Sequence, residues 1–266
     1  MSRIDDIFAD LRRDGRKALM PFVCAGHPRR GDTALLLPAL ERAGASVVEV
    51  GFPYTDPIAD GPVIAQAMHG ALRAGVTPRM VFEEVGSIRE WLKVGLVAMV
   101  SYSIVHGVGG AGRFVGMAKD AGFDGLIVPD LPLEESGEVR AAAAAAGLTM
   151  SMLIAPSTPV ERAEALAKAS TGFVYLLARA GITGDGSGIP DVSGRVSRLR
   201  TFSPLPVAVG FGVSTPEQVR GVVRHADAAI VGSALVRRLT EAKTAGRDPI
   251  AEAEGFVGSL AGGLVG

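Results

Sequence analysis

A single cysteine, Cys24, stands among the 266 residues, so the chain forms no internal disulfide and fits a reducing compartment. Cys24 lies in an apolar stretch and reads as a small core residue. Neither sign of charge is in excess: 27 Lys and Arg face 28 Asp and Glu, a net charge of -1. That balance gives no reason to expect nucleic acid or an anionic membrane as partner, and any anionic ligand has to be held by local groups. No uninterrupted apolar run reaches the roughly 18 residues that would suggest a membrane span. The opening Met-Ser-Arg-Ile-Asp-Asp carries acids and is followed by no signal-like apolar run. The expectation is a cytoplasmic protein. Four histidines, His27, His69, His106 and His225, are scattered without metal-ligand spacing, and no metal is expected.

What the chain does have is apolar bulk. A hydrophobic content of 48% against 21% charged residues describes a globular protein with a large core. Ile4, Ile7, Phe8 and Leu11 fall at helical spacing behind Ser2, which predicts a short capped helix laid over one end of the domain. Strands are then predicted at 18–24, 46–50, 95–100, 125–128, 149–154, 172–177, 206–209 and 228–231. Helices are predicted between them at 31–44, 61–73, 78–93, 141–146, 159–169 and 191–201, with one ending at Gly122, one starting at Thr215 and a last at 249–261. Gly107, Gly109 and Gly110 mark a loop before the helix that ends at Gly122, and Trp91 reads as a packing residue. Alanine is the best helix former, so Ala141 to Ala146 is a helix interior.

Eight strand–helix units recur at a period of roughly 25–35 residues, which predicts a parallel sheet. Eight units in this length favour a single α/β domain over 1–266: a (β/α)8 TIM barrel with an extra N-terminal helix and a short phosphate-binding helix after the eighth strand. Periodicity does not prove closure, and an open doubly wound sheet stays as the alternative.

The chain is organised around residues 46–62. Val47, Val48 and Val50 suit a strand buried on both faces, yet Glu49 stands inside the run. Carboxylates are almost never fully buried unless paired or functional. Beyond Gly51 a loop stiffened by Pro53 and Pro57 ends at Asp60-Gly61-Pro62, where Asp60 is placed to cap the next helix. Asp60 as a plain cap and Glu49 as half of a buried ion pair are the bland alternatives. Two acids at the end of a strand and the end of its loop stand where α/β folds place chemistry. Further on, Gly210-Phe211-Gly212 follows the seventh strand and Gly232-Ser233 the eighth. Barrels of this class often hold phosphate with these two loops, because glycine lets backbone N–H groups approach an anion and a helix N-terminus adds a favourable dipole. Gly184, in the glycine-rich loop after the sixth strand, is a third candidate donor.

Three further stretches complete the pattern: Glu49-Val-Gly-Phe-Pro-Tyr-Thr-Asp-Pro-Ile-Ala-Asp-Gly-Pro62, Val128-Pro-Asp-Leu-Pro132 and Tyr175-Leu-Leu-Ala-Arg-Ala-Gly-Ile-Thr-Gly184. With the glycine loops they resemble the tryptophan synthase alpha family from Phe22 to Val236. The resemblance implies a carbon–carbon lyase that splits indole-3-glycerol phosphate into indole and glyceraldehyde 3-phosphate by a retro-aldol step. It implies Glu49 as the acid/base and Asp60 as the acid facing the indole N–H. It implies Phe22, Val100, Ile127 and Phe211 as the slot for the indole plane, with Tyr102, Tyr175 and Thr183 lining the site, and phosphate on Gly184, Gly212, Gly232 and Ser233. It also implies a beta subunit carrying pyridoxal phosphate in an α2β2 complex, with no cofactor on this chain. Pro53, Asp56 and Pro57 would meet that partner, and the 53–60 and 181–188 loops would be mobile and close the site. Ile104 stands where many members carry Asn, a position associated with the inter-subunit contact.

Other readings compete. An indole-glycerol-phosphate synthase needs a lysine acid at the barrel mouth, and no lysine lies at the predicted strand ends. A non-catalytic docking subunit would lack the acids, and both are present. A stand-alone lyase releasing free indole differs only in having no partner. The two glycine loops generate a direct test. An Asp at Gly212 or Gly232 repels an anion and blocks the amides, so either variant loses affinity for glycerol 3-phosphate in calorimetric titration while keeping its fold. Unchanged affinity in both would sink the phosphate assignment.

Overall fold

The computed structural model describes residues 2–57, 60–179, 191–210 and 212–264. The glycine-rich loop 181–188, with Thr183 and Gly184, lies outside the described residues, as does Phe211.

Helix α1 (Arg3–Arg13) opens with a capping box in which Ser2 and Asp5 satisfy each other's backbone, and it closes on Arg12 and Arg13. Its apolar face, Ile4, Phe8 and Leu11, is buried. Strands β1 (Ala18–Cys24), β2 (Val47–Gly51), β3 (Gly95–Met99) and β4 (Gly125–Ile127) alternate with α2 (Asp32–Arg42), α3 (Pro62–Arg73), α4 (Pro78–Ile88), α5 (Tyr102–Gly107) and α6 (Ala111–Asp120). After α7 (Gly137–Ala145) come two short pieces, β5 (Thr149–Met150) and β6 (Leu153–Ile154). Then follow α8 (Val160–Ala169), β7 (Val174–Leu177), α9 (Ser193–Phe202), β8 (Val207–Gly210), α10 (Pro216–Val223), β9 (Ala228–Val231), α11 (Ser233–Thr244) and α12 (Pro249–Ala261).

All pairings are parallel, in the order β5-β4-β3-β2-β1-β9-β8-β7-β6. The two ends of that row are neighbours in the chain. Between them Ser151 N–H donates to the Leu126 carbonyl at 3.1 Å on one side, and Met152 accepts from Tyr175 N–H at 3.2 Å on the other. The ladder therefore runs through residues 149–154, and the sheet closes into a barrel of the (β/α)8 class. Closure decides against the open sheet, and it removes every free edge.

Strand alternation divides the core. Ala18, Met20, Val47, Val97, Ile127, Phe173, Tyr175, Ala208, Ala228 and Ile230 form one cluster with Ile4, Phe8 and Leu11, so the barrel interior is filled by side chains and α1 plugs one end. Leu19, Val23, Val48, Val50, Leu96 and Val209 face the helices instead.

Two carboxylates clamp the strand starts at that plugged end. Asp124, at the entry to β4, accepts from the Leu96 N–H and from Arg89 Nη2, both at 2.9 Å, with Arg3 Nε at 3.7 Å. Asp227, at the entry to β9, accepts from the Val207 N–H at 2.9 Å, with Arg200 at 3.2 Å and Lys17 Nζ at 3.5 Å. Burial pushes Asp124 up and Arg89 down from their ordinary pKa values, and the attraction between them only partly offsets it.

Several expectations change. Trp91 is 68% exposed and is not a packing residue, because the chain leaves α4 in a 3-10 turn (Arg89–Trp91) that swings the indole outward. Gly107, expected in a loop, ends helix α5 (Tyr102–Gly107), which forms because Ser101 accepts from Ser103 N–H and Asp130 Oδ1 from Tyr102 N–H. Strand five is broken into two pieces. The helix after β9 is twelve residues long, burying Leu235, Val236, Leu239 and Ala242.

The Asp124 clamp is testable. Removing one partner of a buried pair strands the other, so Asp124→Ala should lose about 3–5 kcal/mol in urea denaturation. Asp124→Asn, which keeps an acceptor for Leu96, should lose less. A loss in Asp124→Ala no larger than about 1 kcal/mol, as for an exposed pair, would contradict the clamp.

Candidate functional site

The acid of β2 faces inward because strands alternate. Val47 lies in the interior cluster and Val48 and Val50 in the outer one, so Glu49 points into the barrel one layer toward the C-terminal end of the strands. In register it sits between Phe22 of β1 and Val97 of β3. Gly51 continues the inward face, and a methyl there would lie 2.4 Å from Phe22 Cζ. The Phe22 ring therefore lies over Gly51, and a side chain there would have to displace it. Glu49 is 0% exposed, and neither of its carboxyl oxygens has a hydrogen-bond partner. Burial alone pushes its pKa from 4.5 up to about 8, so the group is protonated at neutral pH. The buried ion pair considered as an alternative is not formed: among the described residues no cation or donor meets Glu49.

Asp60 does not cap α3. The N-cap is Gly61, with no side-chain cap bond, and Pro62 follows at the first turn. The Asp60 carboxylate is instead turned to Tyr54, whose hydroxyl donates to Oδ2 at 3.2 Å. Burial raises the Asp60 pKa and the Tyr54 bond lowers it. Tyr175 lies in the fields of both acids: burial raises its pKa most, then Glu49, then Asp60. Burial and then Asp60 likewise hold Cys24 as an unreactive thiol. The fold thus gathers Glu49, Asp60, Phe22 and Tyr175, which the sequence separates by as many as 153 positions between Phe22 and Tyr175.

The other expected site residues distribute as follows. Val100 is buried and shares the outer cluster with Phe22, with Tyr102 packed against it, whereas Ile127 shares the interior cluster with Tyr175. Gly232 and Ser233 form the N-terminus of α11, and Leu235 and Val236 N–H already bond back to the Gly232 carbonyl. Gly212 has φ +89°, so any side chain there is strained, whereas Gly232 has φ -110°. That makes Gly232→Asp the cleaner of the two phosphate variants. Of Pro53, Asp56 and Pro57, only Asp56 is exposed.

Two residues escaped the sequence reading. Asp130 anchors the start of α5, its Oδ2 accepting from Ser101 Oγ at 2.7 Å and its Oδ1 from the Tyr102 N–H at 2.9 Å. Tyr54 is the second; its proximity to Asp60 needed the loop to fold back. His69 Nε2 meets the Thr55 carbonyl at 3.0 Å and ties that loop to α3.

A cavity of about 520 Å³ opens elsewhere, on the flank between residues 26–30, α3 and α11, where His27, Arg29, Arg30 and Lys243 line it. It contains neither acid. Proton-transfer chemistry needs a titratable group of perturbed pKa in an apolar enclosure, so the barrel mouth at Glu49 is the candidate site. Among the described residues no group of three or more His, Cys, Asp or Glu is placed to hold a metal ion, and no helix is long and apolar enough to cross a membrane.

The chain matches the family model described as Tryptophan synthase alpha chain over residues 8–263. It is 47% identical over 237 residues to the tryptophan synthase alpha chain of Synechococcus sp. (strain CC9902), covering 88% of each chain. It is 40% identical over 266 residues to that of Citrifermentans bemidjiense, covering 100% of this chain and 98% of the relative. Among solved structures, tryptophan synthase of Mycobacterium tuberculosis superposes with a TM-score of 0.90 at 35% identity, over 99% of this chain and 98% of that one. The tryptophan synthase alpha subunit of Legionella pneumophila gives a TM-score of 0.90 at 32% identity, with the same coverage.

The state of Glu49 has a signature in stability. Between pH 4.5 and about 8 the folded chain keeps a proton that the unfolded chain has lost. Stability from this group is therefore fully present below pH 4.5 and is lost as pH rises through about 8. Glu49→Gln cannot ionise, so the stability of the wild type relative to this variant should fall by about 3–5 kcal/mol from pH 4.5 to pH 8.5 in urea denaturation. Parallel pH profiles for the two proteins would refute a neutral buried Glu49.

Proposed function

The chain belongs to the tryptophan synthase alpha chain family, and on that premise we propose that the barrel mouth cleaves indole-3-glycerol phosphate into indole and glyceraldehyde 3-phosphate. One observation carries the reading: a carboxyl group buried inside the barrel with no partner among the described residues and a pKa of about 8. The bond from indole C3 to the side chain breaks when C3 gains a proton and the adjacent hydroxyl loses one. The electron pair of the breaking bond returns to the ring, and the hydroxyl carbon becomes the aldehyde. Protons balance, so one group can give the first and take the second. Glu49 meets that need, since it is protonated near neutral pH yet close enough to its midpoint to be a base once it has donated.

Protonated C3 leaves positive charge on the ring, centred at nitrogen. Asp60 faces that charge as a carboxylate held by Tyr54. Phe22, Val100, Ile127 and Phe211 enclose the indole plane, with Tyr102, Tyr175 and Thr183 at its edges. Gly184, Gly212, Gly232 and Ser233 hold the phosphate, which suits the N-terminus of α11. Indole passes to a beta subunit that carries the pyridoxal phosphate, in the cytoplasm. The exposed Asp56, between buried Pro53 and Pro57, supports a contact surface on the loop after β2. Family membership favours this alpha-subunit reading over a stand-alone lyase.

The test is turnover. Removal of a general acid/base costs about 10²–10⁴-fold, and Glu49 acts in two proton transfers, so Glu49→Gln should lose at least that much indole release. It should keep glycerol 3-phosphate affinity and beta-subunit binding. Indole release within a few-fold of wild type, assayed with the beta subunit present, would exclude Glu49 as the acid/base.

A further inference from the structure

The phenol of Tyr54 has to be explained. Its ring packs against the outer core cluster, a task that phenylalanine performs equally well. The hydroxyl is the costly part. It lies in the fields of Asp60, Asp130 and Asp56, and burial followed by these charges pushes its pKa well above the ordinary tyrosine value. It therefore remains an O–H donor at any working pH. Its acceptor is Oδ2 of Asp60, at 3.2 Å. The backbone on either side is tied down, with the Thr55 carbonyl on His69 and the Phe52 N–H on the Met99 carbonyl at 2.9 Å.

We propose that Tyr54 is a positioning residue for Asp60, its hydroxyl holding that carboxylate in one orientation and favouring its anionic form. The proposal rests on the reading of Asp60 as the acid that faces the charge developing on the substrate ring. A donor aimed at a carboxylate oxygen favours the charged form, whereas burial opposes it. Among the described residues the titratable groups facing Asp60 are Tyr54, Cys24 and Tyr175, and all three are neutral, so the Tyr54 hydrogen bond is what offsets burial. Glu49 has no such donor. The hydrogen bond favours the charged form of Asp60 and burial alone acts on Glu49, a difference in the sense that a reaction with a proton donor and a charge stabiliser requires.

Tyr54→Phe in the full chain removes the hydroxyl and keeps the ring. The titration of Asp60 is followed by carboxyl ¹³C NMR and assigned against Asp60→Asn; the pH profile of kcat/KM for indole release is measured with the beta subunit. Tyr54→Phe should raise the Asp60 midpoint, and move the acid limb of kcat/KM upward, by about 0.5–1 pH unit. Melting temperature and glycerol 3-phosphate affinity should stay as in wild type. An unmoved midpoint overturns the proposal, and so does a lowered melting temperature with the midpoint unchanged, which is what a merely structural tyrosine gives. Substituting 3-fluorotyrosine, a stronger phenol donor, should move the midpoint downward; no downward shift also overturns the proposal, and this arm decides the matter if Tyr54→Phe does not fold. A wild-type chain that releases no indole would defeat the reaction assigned above, while the NMR midpoint still decides the role of Tyr54.

Discussion

The constraint on which the site depends is the burial of one carboxyl group where no described residue pairs with it. A closed parallel barrel uses its backbone donors in the ladder, and its interior is otherwise apolar. Glu49 is placed in that interior by strand alternation, flanked in register by Phe22 and Val97. No described residue offers it a donor or cation, so the group gives up its charge instead of finding a partner. A neutral acid inside a hydrophobic wall is a reactive state held at a cost in stability.

The opposite end of the barrel shows where that cost is offset. Helix α1 plugs the interior with Ile4, Phe8 and Leu11. Asp124 and Asp227, at the entries to β4 and β9, each bind a strand N–H and basic side chains. Unlike Glu49, these carboxylates are met by donors and cations. The division follows the rule for such barrels, with stability at the N-terminal face and chemistry at the C-terminal face.

At the mouth, Glu49 and Asp60 are both pushed toward neutrality by burial, yet only Asp60 has a donor. The difference comes from the loop after β2, which folds back so that Tyr54 reaches Asp60. A loop that would only cover the site thus also supplies a hydrogen-bond donor to one of its acids.

Much of this was legible in the sequence. Buried strands read as β-branched runs, helices as spaced apolar residues behind Ser2 or Thr215, and Glu49 as a charge inside a run with no room for one, because these signals are local and periodic. The glycines at 212 and 232 and the acid at 60 were visible for the same reason. Closure of the sheet was not, since it rests on the pairing of β1 with β9 from opposite ends of the chain and on the hydrogen bonds at Ser151 and Met152 that carry the ladder between β5 and β6. Nor was the true partner of Asp60: next to Gly61-Pro62 it looks like a helix cap, and only the folded loop shows that Tyr54 has claimed its carboxylate. Trp91 misled for a related reason, because residue type reports apolarity while exposure depends on a 3-10 turn. The sequence by itself determined which residues could react. The tertiary structure decided which of them are charged, because desolvation and hydrogen bonding arise only when distant segments enclose a common space.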